Sequence, residues 1–199
     1  MSGTEKPFSE SCERNKDPIL ERLREVLSQP GRILEIGSGT GQHAVHFGAA
    51  LPHLTWQTSD LPINHPGIQA WLDEAGLPNV LPPITLDVNG PWPEQSSEGM
   101  FTANTLHIVS RDKGQKLIAG AGKVLRRGGR LVIYGPFNYQ GAFTSDSNAR
   151  FDEWLKGRDP HSGIRDFESV VKCSGINGLR LEADDAMPAN NRLLIFIKT

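Results

Sequence analysis

Hydrophobic residues along this chain fall into groups whose spacing switches between the helical and the strand period. Ile19, Leu20, Leu23, Val26 and Leu27 recur at helical spacing behind Asp17-Pro18. This predicts an amphipathic helix that starts there, with proline in its first position, and stops at Pro30-Gly31. A continuous apolar strand follows over 32–36. Ala44, Val45, Phe47, Gly48 and Leu51 then mark the buried side of a second helix, and 54–60 reads as the second strand. Ile68, Trp71, Leu72 and Ala75 give a third helix closed by Gly76. The third strand, over 80–88, is confined to a sheet edge by Pro82-Pro83.

The second half repeats the alternation. A strand over 100–106 leads to a helix carrying Leu117, Ile118, Ala121, Val124 and Leu125, which ends at Gly128-Gly129, and then to a fifth strand over 130–135. Residues 136–148 read as a long loop, a length that is uncommon without a function. Phe151, Trp154 and Leu155 mark a short helix, and Asp166 caps another that carries Phe167, Val170 and Val171. Strands over 179–184 and 193–197 are joined by Met187-Pro188-Ala189-Asn190-Asn191, with no room for a helix, so they pair antiparallel. Strand–helix alternation closed by a hairpin predicts an α/β fold with a mostly parallel, doubly wound, seven-stranded sheet.

The most informative boundary is the end of the first strand, Glu35-Ile36-Gly37-Ser38-Gly39-Thr40-Gly41-Gln42. Three alternating glycines there let the backbone turn sharply and approach a ligand where a side chain would block it. A dinucleotide fingerprint, G-x-G-x-x-G, needs its third glycine where this chain has Gln42; the glycine falls one residue early, at Gly41. A P-loop is excluded, because no Gly-Lys-Ser/Thr follows. Glu35, at the carboxyl end of the strand, suits a ligand carrying an ammonium or hydroxyls and repels a pyrophosphate. The plain alternative is a glycine turn with no ligand.

Composition narrows the class. The 199 residues fit one domain, spanning 1–199, and the formal net charge of -2 supplies no field to attract a nucleic acid. Arg126-Arg127 suits a helix C-terminus. The apolar runs are far short of a membrane span, and the first residues lack the pattern of a signal peptide. Cys12 and Cys173 alone make neither a disulfide framework nor a zinc site. The expectation is a cytoplasmic protein with no nucleic-acid or membrane partner. His43 and His46 share a helix without the spacing or third partner of a metal site, so no metal is expected and both read as solvated.

In open α/β sheets, ligands sit outside the carboxyl ends of the strands. Asp60 lies about twenty residues past the glycine loop, where a carboxylate takes both ribose hydroxyls; before Leu61-Pro62 it also reads as a turn residue. Asp87 and Val88 end the third strand, and Asn104 lies late in the fourth. His107, directly after that strand, is the best-placed general base among six histidines, or else a cap or packing residue. Tyr134 ends the fifth strand, either in the core or with its hydroxyl in a pocket. Phe137 and Asn138 follow it.

The run E-I-G-S-G-T-G resembles the first motif of the class I S-adenosylmethionine-dependent methyltransferases. The closing hairpin resembles the strand insertion that separates their Rossmann-like fold from ordinary dinucleotide folds. More widely, E-R-N-K-D-P-I-L, G-S-G-T-G-Q-H, L-D-V, Y-G-P-F, S-N-A-R-F-D, G-I-R-D and M-P-A-N-N-R-L-L-I-F resemble a small family of uncharacterised methyltransferase-like proteins with bacterial and animal members. That resemblance covers nearly the whole chain. It implies S-adenosylmethionine as cofactor, with Glu35, Gly37, Ser38, Gly39 and Gly41 at its methionine part, and Asp60 and Leu61 at the ribose. Asp87 would accept from the adenine amine, the Val88 amide would read the ring, and Asn104 would lie beneath.

It also implies that the polar segment 12–20 crosses the cofactor mouth, with Arg14 at the amino-acid carboxylate and Asn15 at cofactor or substrate; the plain alternative is a solvated polar lead-in to the first helix. His107, Tyr134, Phe137 and Asn138 would flank the transferred methyl group. The family pattern draws attention to Asn148, Asp152, Arg165, Asp166, Asn190 and Asn191, the last four of which also serve as caps and turns. An Asn-Pro-Pro-aromatic motif, the sign of methylation at an amide or base amine, does not follow the fourth strand. The expected activity is therefore methyl transfer to a small molecule, by a monomer or homodimer, with the acceptor entering between the N-terminal segment and 136–148. A protein that holds the cofactor or its demethylated product without turnover is the second reading. A nicotinamide-dependent oxidoreductase is the third, opposed by Gln42 and by the hairpin.

Overall fold

In the computed structural model, which describes residues 6–199, the helices are α1 (Glu10–Val26), α2 (Gln42–Ala50), α3 (His65–Ala75), α4 (Arg111–Val124), α5 (Asp146–Arg158) and α6 (Phe167–Ile176). The strands are β1 (Gly31–Glu35), β2 (Leu54–Asp60), β3 (Val80–Thr85), β4 (Ser97–Ala103), β5 (Leu125–Gly135), β6 (Phe137–Asn138), β7 (Arg165–Asp166), β8 (Leu179–Met187) and β9 (Asn191–Lys198). A seven-stranded sheet runs β3-β2-β1-β4-β5-β9-β8. β1 to β5 are parallel, and β9 enters antiparallel between β5 and β8. The chain winds outward in both directions from the β1–β4 pair, so the crevice at the switch point opens beyond the carboxyl ends of those two strands.

Both faces of the sheet are covered, because successive strand residues point to opposite sides. Ile33, Trp56, Phe101, Val132 and Ile195 pack with Ile19, Leu23, Phe47 and Ile68 of α1 to α3. Leu34, Met100, Leu131, Ile133 and Phe196 pack with Leu117, Ile118 and Val170 of α4 and α6. The predicted fold class, the edge position of β3, the terminal hairpin and the Asp166 cap of α6, which accepts from the Ser169 amide, are all present.

Several boundaries differ from the sequence reading. α1 starts two turns early, capped by the Ser9 hydroxyl, and Pro18 lies inside it. The segment read as a polar lead-in is therefore helical, and Asn15 in it is buried. β3 stops at Thr85, leaving Asp87 and Val88 in the following turn. β4 ends at Ala103 because Asn104 adopts a left-handed backbone, φ 57°, that breaks the strand. Gly128-Gly129 does not close α4 but lies within β5, which begins directly after Val124. The supposed loop over 136–148 is largely ordered: β6 pairs with β7, Tyr139 bridges Ala142, and α5 begins at Asp146.

Candidate functional site

The glycine loop takes the shape its sequence requires. Gly37, Gly39 and Gly41 have φ of 72°, 57° and 90°, left-handed values that glycine adopts without a Cβ penalty. The amides of Gly37 and Ser38 both donate to the Ser59 carbonyl, at 3.0 and 2.9 Å, which ties the loop to the end of β2. A Cβ on Gly41 would lie 3.1 Å from Ile68 Cα, so that glycine serves helix packing, whereas the Cβ position of Gly39 faces open space. Glu35 is 2% exposed beneath the loop and accepts from Ser38 Oγ at 2.9 Å and Trp56 Nε1 at 3.1 Å. Burial pushes its carboxyl up to about 7, despite those two hydrogen bonds.

Asp60 is already engaged within the protein. Its carboxylate accepts from the Gly39 amide at 2.7 Å, the Leu61 amide at 2.7 Å and Asn64 Nδ2 at 2.8 Å. It thus joins the glycine loop to the turn after β2. Leu61 is exposed beside it. Asp87 is exposed and accepts from the Asn89 amide at 2.9 Å, and Val88 packs partly into the core under α4. These residues lie along the carboxyl ends of β1 to β3.

A concavity of about 1010 Å³ opens at the ends of β4 and β5. Of the residues singled out from sequence, Arg14, Asn15, Asn104, His107, Tyr134, Asn148 and Asn191 line it. The glycine loop is not among its walls. Phe137 does not reach it either: it is 1% exposed, packed in the core on the α4 side. Asn138 also lies outside, its backbone paired with Asp166 and its Oδ1 buried without a partner among the described residues.

Phe151, Trp154 and Arg158 of α5 are among the walls that the sequence did not single out as site residues. Phe151 and Trp154 read as the buried stripe of a short helix, yet they face the cavity, as does Arg158 one turn later. Sequence periodicity finds an apolar face but not whether it meets protein or a void.

The loop that carries His107 is held from outside. Arg165 donates to the carbonyls of Leu106 at 3.0 Å, His161 at 3.0 Å and Val109, and the Gly163 amide donates to the His107 carbonyl at 2.9 Å. Asp152 is buried and accepts from the Ile164 amide at 2.7 Å, which fixes that clamp to α5. Asn148 donates to Thr144 Oγ1 at 2.9 Å and to the Asn190 carbonyl at 3.3 Å, tying α5 to the hairpin turn. Burial pushes His107 down to about 4, and the Arg165 charge adds to the shift.

Behind the cavity runs a buried polar chain that the sequence did not reveal. His43 is not solvated: its Nε2 lies 2.6 Å from Asn15 Oδ1, and its ring stacks on Phe47 at 5.2 Å. Asn15 in turn meets the Tyr134 hydroxyl, a contact that offsets part of the rise burial imposes on that phenol. Alongside, the buried Gln42 accepts from the Ser9 amide at 2.6 Å and donates to Glu13 Oε1 at 2.8 Å, fastening α1 to α2.

Burial pushes His43 down to about 4, with His46 adding a smaller push in the same direction. A histidine depressed in the folded state adds stability that is complete above its ordinary value near 6.5 and is lost as pH falls toward 4. His43→Gln should therefore cost more stability at pH 8 than at pH 4.5, by about 2 kcal/mol. Urea titrations at both pH values measure this; an equal cost at each would show that the imidazole is not held neutral.

The family described as protein of unknown function (DUF938) matches residues 6–198. The O-methyltransferase rstn1 of Aspergillus nomiae is 30% identical over 171 residues, covering 83% of this chain and 72% of that protein. Among solved structures, an O-methyltransferase family protein from Burkholderia thailandensis superposes with a TM-score of 0.82 at 16% identity, over 92% of this chain and 56% of that one. The apo form of the S-adenosylmethionine-dependent methyltransferase SibL gives 0.80 at 20% identity, over 94% and 55%. At such identities these two establish the shared Rossmann-like methyltransferase fold, and this chain spans little more than half of either.

Proposed function

The chain belongs to the DUF938 family, and from that membership and the site we infer that it is an S-adenosylmethionine-dependent methyltransferase acting on a small molecule. The observation that carries the reading is the loop of three left-handed glycines, open at Gly39, beside a separate cavity large enough for an acceptor. The curated relative named as an O-methyltransferase supports oxygen as the accepting atom. We assign the whole of 1–199 to one domain. Its two free cysteines suit a reducing cytoplasm, and among the described residues no helix is long and apolar enough to cross a membrane.

The residues present suit the cofactor. A Cβ on Gly39 would occupy open space that a ligand can fill, and an arriving positive charge would favour the ionised form of the Glu35 carboxyl, which burial pushes up to about 7. Gly37, Ser38, Gly39 and Gly41 would hold the methionine part, Asp60 with Leu61 the ribose, and Asp87 with Val88 the adenine. Bound there, the cofactor supplies a methyl group on a positively charged sulfur, which keeps the electron pair when the methyl leaves. Arg14 and Asn15 of α1 border the acceptor side. Asn104 and Tyr134 orient the acceptor hydroxyl, and His107, held neutral by burial, takes its proton on a ring nitrogen.

A second reading, retention of the cofactor without turnover, draws on that same histidine, since a group pushed down to about 4 is a weak base. Calorimetry with S-adenosylmethionine and with NAD tests the assignment. Heat is expected with the first alone; no heat with it would sink both readings. Release of the demethylated product during incubation with an acceptor separates turnover from retention.

A further inference from the structure

The walls of the large cavity differ in kind. On α5, Phe151 and Trp154 stack at 5.7 Å with their planes 16° apart, and Arg158 lies over the Trp154 ring at 4.8 Å. Trp154 remains 53% exposed, so much of its apolar surface is left uncovered at the cavity wall. Farther in, the polar groups are neutral. His107 meets Phe151 edge-on at 5.3 Å, and Asn104 and Asn15 present amides.

Charge is gathered at the exposed rim, where α1 contributes Arg14 and α5 contributes Arg158. Among the described residues Arg14 makes only a long, exposed contact with Glu10, at 3.7 Å, and Arg158 makes no ion pair. The carboxylate that lines the cavity among the described residues, Asp159, accepts from the His161 amide at 2.9 Å and so caps its own turn. An aromatic face, a neutral interior and two guanidiniums at the mouth select for one kind of molecule.

We propose that the acceptor is a planar aromatic compound bearing both a hydroxyl and a carboxylate, with its ring on the Phe151–Trp154 face. The carboxylate is held by Arg14 and Arg158, and the hydroxyl points to His107 and Asn104. At about 1010 Å³ the space admits a compound of two fused rings. The assignment rests on the methyl-transfer reading above. In the reaction the hydroxyl oxygen bonds the methyl carbon, the sulfur–methyl bond breaks with its electron pair on sulfur, and the hydroxyl proton passes to His107.

The test uses 6-hydroxy-2-naphthoate, 2-naphthol and 12-hydroxydodecanoate as probes, with binding read by calorimetry on the intact chain. The naphthoate is expected to bind tightest, about fivefold tighter than 2-naphthol through the guanidiniums, and the flexible aliphatic acid weakest. Trp154→Ala should weaken the naphthoate about tenfold, and Arg14→Gln with Arg158→Gln should bring it to the level of 2-naphthol. Equal binding of the three probes, or binding untouched by Trp154→Ala, overturns the proposal. S-Adenosylhomocysteine is titrated in parallel, and its affinity should not change in Trp154→Ala. If it binds while the naphthoate does not, the acceptor class is wrong and the methyl-transfer reading survives. If it fails to bind, that reading falls and takes this assignment with it.

Discussion

Replacing Gly39 by valine is expected to remove S-adenosylmethionine binding while leaving the fold in place. The residue has φ of 57°, and its Cβ position looks into open space rather than into protein. A β-branched side chain there would stand where the ligand must lie. The left-handed backbone adds a strain of about 1–2 kcal/mol, enough to lower the melting temperature by a few degrees but not to unfold a domain of this size. Calorimetry should show no heat with the cofactor, and far-UV circular dichroism should match the wild type. A valine variant that binds normally would place the ligand elsewhere.

Asp60→Ala should damage both binding and stability, a combination visible only once the partners of this carboxylate are known. Truncation orphans the amides of Gly39 and Leu61 and the side chain of Asn64 at a site that is nearly buried. The loss is about 3 kcal/mol, read as a lowered urea midpoint, together with a weaker cofactor affinity because the glycine loop loses its tether to β2. Asp60→Asn keeps the shape but not the charge and should lie between the two. An alanine variant with unchanged stability would show that the tether does not form in solution.

Much of the fold was legible because it rests on local periodicity. Ile33 against Leu34, and Val132 against Leu131, already divide the sheet into two faces, and the span from Leu179 to Lys198 leaves no room for a crossover helix. The start of α1 was misplaced for a specific reason. Asp17-Pro18 is a strong local start signal, whereas the helix that forms begins at Ser9, where Gln42, far away in sequence, receives its amide. His43 reads as solvated because the partner that allows its burial, Asn15, arrives from another helix. Phe137 is misplaced by the same limit: the two-residue pairing of β6 with β7 joins segments that no spacing rule connects. Chemistry written in one short segment, like the glycine loop, can be read directly; chemistry assembled from remote segments becomes visible only in three dimensions.

Helix α1 touches both the helix behind the glycine loop and the large cavity. Through Gln42 and His43 it is fastened to the helix that starts at the glycine loop, and through Arg14 and Asn15 it forms part of the cavity wall. A swing of α1 wide enough to admit a bulky molecule must break the Gln42 contacts and so loosen the neighbouring loop. Loss of those contacts would therefore be felt on both sides at once, and exchange of the Ser9 amide proton held by Gln42 would report it.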